Sequence, residues 1–172
     1  MLSNRARAWV WSAVILALVP VTGCGLGNRS SAMSFNEALV KANKELETAG
    51  LRLGQAIAPF IQRQPINREE LTAARDNANA VMTKVRNDMA ALTVPELDGA
   101  PELYAVHQKF LDGQEKLIKE INAIVNQVLA NTAQAGDCLK RIQKIETTEK
   151  ASLTELQKAQ GDFARKNGIK LQ

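Results

Sequence analysis

Residues 34–60 read SFNEALVKANKELETAGLRLGQAIAPF, and apolar side chains recur in them at Phe35, Leu39, Ala42, Leu46, Ala49, Leu53, Ala56 and Phe60. The steps alternate four and three, which is the heptad seam of a helix packed lengthwise on other helices. A strand would alternate every second residue instead. Ser34 followed by Glu37 is a capping-box pattern, in which each side chain satisfies a free backbone N–H, so the helix is expected to open at Ser34. Gly50 and Gly54 lie four apart on one face, where missing side chains would admit a neighbouring helix. Pro59 should kink the last turns, because its ring meets the carbonyl of Gln55. The helix should end by Gln64, before Pro65.

The same pattern continues outward. Asn67 and Glu70 form a second capping box flanked by the staple residues Ile66 and Leu71, and an apolar stripe follows through Leu71, Ala74, Ala78, Val81, Val85, Met89 and Leu92. Val94 to Pro101, with two prolines and an Asp-Gly pair, is a loop. A third helix from about Pro101 to Asn131 carries the seam Leu103, His107, Phe110, Gln114, Leu117, Ile121, Ile124 and Val128. After a break around Gln134 to Gly136, a fourth carries Cys138, Ile142, Ile145, Glu149, Ser152, Leu156, Ala159 and Phe163 until Gly168 ends it. Four segments of similar length with short connections make antiparallel neighbours, hence an all-α, up-down-up-down four-helix bundle. The run Thr147, Thr148, Glu149 leaves an alternative, a helix broken near Lys150, which would give three long helices and a short C-terminal one.

Composition agrees with helix. Aromatics make up 4% of the 172 residues and there are only five prolines, so the apolar content lies in Ala, Leu, Ile and Val. The formal charge of +4 arises from 22 basic and 18 acidic residues, interleaved as on a solvated surface rather than gathered as a nucleic-acid footprint. Nucleic acid is not an expected partner.

The N-terminus is different in kind. A basic stretch, Met1 to Arg7, precedes the apolar run Ala8 to Val19, AWVWSAVILALV, which is too short to cross a bilayer as a helix, for which about 20 residues are needed. Val21-Thr22-Gly23-Cys24 follows directly, and in that position it resembles the lipobox of bacterial lipoproteins. The resemblance covers these two dozen residues and no more. It implies cleavage after Gly23, acylation of Cys24 as the first residue of the mature chain, and permanent attachment to a membrane through several acyl chains. Gly25, where an acidic residue would signal inner-membrane retention, favours the outer membrane facing the periplasm. Loss of residues 1–23 would leave 149 residues with 20 basic and 18 acidic side chains, a charge of +2, and no tryptophan. Residues 24–33, small and polar, should then form a lipidated flexible tether ahead of a bundle domain at 34–172.

Little in the bundle points to catalysis. One histidine and one remaining thiol, Cys138, supply no nucleophile–base set, and there is no phosphate-binding glycine loop or paired carboxylate. Folding the helices back gathers Phe35, Met89, Leu92, Tyr104, His107, Phe110 and Phe163 at the lipid-bearing end. Haem between His107 and a methionine is outweighed by a packed histidine, so no cofactor and no metal is expected. Gln114, Glu149 and Ser152 should form a polar layer near mid-bundle, facing Ala49 and Gly50. With His107, Gln114 and Glu149 are the candidate residues for a small ligand. The competing reading makes the layer a device that sets helix register. Cys138, beside Asp137, should be buried and inert. The function expected from this architecture is a non-enzymatic, membrane-anchored scaffold or interaction module, with another helical envelope protein or a second copy as partner. The alternative is a ligand-binding or sensory bundle.

Overall fold

The computed structural model describes residues 26–169 and shows four helices: α1 (Leu26–Ile61), α2 (Arg68–Ala90), α3 (Ala100–Leu129) and α4 (Ala135–Lys166). No strand occurs among the described residues. Each helix runs antiparallel to the next. α1 packs most extensively on α2 and α3 on α4, the α2–α3 and α1–α4 faces close the ring, and α1 also touches α3 across the diagonal. The chain is an all-α four-helix bundle. α4 is continuous through Lys150, so the alternative with a short final helix does not apply.

The start of α1 corrects the tether and the cap at Ser34. Helix is already present at Leu26 and runs uninterrupted for 36 residues. Ala32 is fully buried and Met33 packs on the core, one turn below Phe35 and Asn36, so burial overrides the weak helix preference of the glycine and serines nearby. The lengths are therefore unequal, from 23 residues in α2 to 36 in α1, or about 35 to 54 Å. Pro59 lies inside α1, close enough to its end that the helix closes two residues later. Gly54 does not admit a neighbour, since a Cβ there would meet open space.

Three helices stop in the same way. Beyond α1, Gln64 N–H donates to Pro59 O and Arg63 N–H to Phe60 O, with Arg63 at φ 57°. Asn131 after α3 and Gly168 after α4 occupy the equivalent left-handed position in matching bond pairs. These are Schellman endings, which satisfy carbonyls that the helix cannot. At the start of α2, Asn67 caps as expected, its side chain accepting from Glu70 N–H at 3.1 Å.

The apolar interior forms two clusters. One, toward the start of α1, joins Phe35, Leu39, Val85, Met89, Leu103, Phe110 and Phe163, with Phe35 and Phe163 edge to face at 5.6 Å. The other, toward the far end, joins Leu53, Ile57, Leu71, Ile124, Val128, Cys138 and Ile142. Side chains of this size contribute about 1.5–3 kcal/mol each when fully buried. Among the described residues no helix is long and apolar enough to cross a membrane.

Candidate functional site

Between the two clusters the seam turns polar, because α3 places His107 and Gln114 seven residues apart on its inner face and α4 brings Glu149 to the level of Gln114. Gln114 Nε2 donates to Glu149 Oε1 at 3.3 Å, and both side chains are buried. The expected layer therefore forms. Ser152 lies only at its half-buried edge, its hydroxyl bonded to Thr148 O. Burial pushes the Glu149 carboxyl up to about 7; the Gln114 amide opposes this, and the neighbouring carboxylates Glu146 and Glu47 reinforce it. Glu47 and Glu146 are themselves raised by burial.

Gln114 Oε1 has no hydrogen-bond partner. Beside it, Ala49, Gly50 and Ala78 leave a cavity of about 10 Å³, room for roughly one water molecule. A metabolite does not fit that volume.

His107 belongs to a different rung. It is fully buried, with Nε2 3.0 Å from Asn43 Oδ1 on α1 and the ring 6.2 Å from Phe110. Burial lowers its pKa to about 4, with a smaller push from Arg86; the Leu39 carbonyl works in the opposite direction. At neutral pH the ring is uncharged, and its Nδ1 has no partner. Seven residues of helix, about 10 Å, separate it from the Gln114–Glu149 pair, so the three candidates do not converge on one ligand.

Sequence reasoning missed Asn43, the partner of His107, and two further members of this polar series. Asn36 is 2% exposed with neither amide atom partnered, and Gln160 is 6% exposed on α4. Asn36, Asn43 and Gly50 follow one another at seven-residue intervals on α1, just as His107 and Gln114 do on α3. The heptad spacing of the asparagines was the available signal. They sit one position beyond the apolar seam, where a polar residue ordinarily faces water.

Cys138 is a free thiol, 2% exposed, and burial pushes its pKa up, with Arg141 opposing and Asp137 adding to the rise. Among the described residues no group of three or more His, Cys, Asp or Glu is placed to hold a metal ion. Gly23 and Cys24 lie outside the described residues. Compared with protein-family models, curated proteins and solved structures, the chain matches none.

Proposed function

We propose that this chain is a bacterial envelope lipoprotein, anchored to the outer membrane through acylated Cys24, whose helical bundle serves as a scaffold or interaction module and not as an enzyme. The observation that carries the reading is Val-Thr-Gly-Cys at residues 21–24, set directly after a basic stretch and a twelve-residue apolar run. The interior supports a structural role over a ligand-binding one. Its polar groups are spread along the bundle in separate rungs, and the cavity beside Gln114 admits about one water. The sides of the bundle are charged and well suited to a solvated periplasmic surface. Leu51 is the one exposed large apolar side chain among the described residues.

Metabolic labelling with a palmitate analogue in a bacterial host tests the anchor. The wild-type chain should incorporate label and fractionate with outer membranes, and Cys24→Ser should do neither. Labelling that persists in Cys24→Ser removes the basis of the reading. Thermal-shift and native-mass measurements on protein taken from its own host test the bundle's role, since a bound small molecule would favour a ligand carrier.

A further inference from the structure

The distance between the proposed anchor and the folded domain is short. Only Gly25 separates Cys24 from Leu26, where α1 begins. Two residue steps span at most about 7 Å. A nine-residue tether would have given a reach of about 15–18 Å and let the bundle tumble.

The first turns of α1 lead into the bundle from the Cys24 side. Ala32 is the first fully buried residue among those whose burial is described; Asn28, Ser30 and Ser31 are exposed, and Arg29 is half-buried with its Nε enclosed. Ala32 stands about 9 Å along the helix axis from Leu26. The headgroup layer of one leaflet is about 5–7 Å thick, so this stretch of α1 is long enough to cross it. Beside the packed part of α1 at this level lie the α2–α3 loop, whose Val94 and Leu97 pack on the same cluster as Ala32, and the end of α4 with Ala164 and Ile169. The exposed groups here are of both signs. Asp98 pairs with Lys166 at 2.9 Å, Asp162 pairs with Arg165, and Glu96 is exposed in the loop. Such a surface suits the mixed charges of phospholipid headgroups better than an apolar core.

We infer that the bundle stands end-on on the membrane, with α1 leading out of the headgroup layer and the α2–α3 loop and the end of α4 resting against it. This rests on acylation of Cys24. The opposite end, formed by the α1–α2 and α3–α4 turns, then stands roughly 45 Å above the headgroups, as thirty residues of helix require. That end is the one presented to a partner across the periplasm.

Single fluorophores on Glu96→Cys and Gln64→Cys of the acylated full-length protein test this geometry, since Cys138 is buried and escapes labelling. The proteins are reconstituted into phosphatidylethanolamine–phosphatidylglycerol vesicles that carry a nitroxide on the headgroup. Protein that floats with the vesicles should lose fluorescence at position 96 and none at position 64. Ten Gly-Ser residues inserted between Gly25 and Leu26 should restore fluorescence at 96 while flotation persists. Equal quenching at both positions means a bundle lying flat, and quenching at neither means a bundle held away; either overturns the inference. Failure to float refutes acylation itself, which separates the two claims.

Discussion

Replacing Glu149 with glutamine keeps the side chain's shape and removes its charge. In the folded chain the carboxyl holds its proton up to about pH 7, against an ordinary value of 4.5, chiefly because Glu149 is buried. Each pKa unit is worth about 1.36 kcal/mol, so ionisation costs the fold about 3 kcal/mol. Between pH 4.5 and 7 the folded chain binds more protons at this site than the unfolded chain. Its contribution is therefore complete below 4.5 and is lost as pH rises through 7. His107 has the opposite sign. Its pKa is lowered from 6.5 to about 4, the unfolded chain binds more protons between those values, and stability rises with pH across them by a similar amount. In the wild-type protein the two slopes oppose each other over pH 4.5–6.5. Glu149→Gln removes one and exposes the other. Urea melts followed by far-ultraviolet circular dichroism should show the variant gaining about 3 kcal/mol between pH 4 and 6.5 from His107. At about pH 8 it should exceed wild type by about 3 kcal/mol, or roughly 6–12 °C in Tm. Near pH 4 the two proteins should match. Equal stability at about pH 8, or parallel pH profiles throughout, would refute the assignment of a costly buried charge to Glu149.

Phe163→Ala, which empties the edge-to-face site against Phe35, should cost about 3–5 kcal/mol in the same melts. Gly99→Ala should cost about 1–2 kcal/mol, because Gly99 has φ 80° and the added methyl would lie 3.1 Å from Lys166 Cδ. Cys138 in the native protein should resist Ellman's reagent and run as a monomer on non-reducing gels, reacting only once urea unfolds the bundle. Rapid native-state reaction would place it at the surface.

The seams of all four helices were legible because apolar spacing reports directly which face is buried. Every seam residue read on α3 is buried except the half-buried Ile121. On α2 the stripe drifts: Met82 takes the inner position and Val81 is only partly covered. The cap at Asn67 was legible because a proline and a staple isolate it, and the structure bears it out. The matching pattern at Ser34 misled for a physical reason. A capping box closes a helix start only where the preceding backbone is free, and here Ala32 is drawn into the core three residues before Phe35, so helix continues through Ser34. In the candidate site, the Gln114–Glu149 layer could be placed from α3 and α4 alone. The Asn43–His107 rung could not, because it depends on α1 meeting α3 across the diagonal, a contact that antiparallel pairing rules do not specify.

That diagonal gives the polar rungs a structural consequence. Apolar heptads are nearly degenerate under a slide of seven residues, since each layer meets another of the same kind. If α1 slid so that His107 met Gly50, Gln114 would meet Ile57, and the histidine would lose its acceptor. Stranding such a buried group costs about 1–3 kcal/mol. A slide in the other direction offers His107 the amide of Asn36 instead. It also draws Phe35 off Phe163 and sets Asn28 in its place, giving up a contact between two buried rings. The Asn43–His107 bond resists one displacement, and the Phe35–Phe163 contact, lost in either, resists both. Together they hold the α1–α2 hairpin against the α3–α4 hairpin in a single register, and a bundle fixed in this way transmits a displacement at one end to the turns at the other.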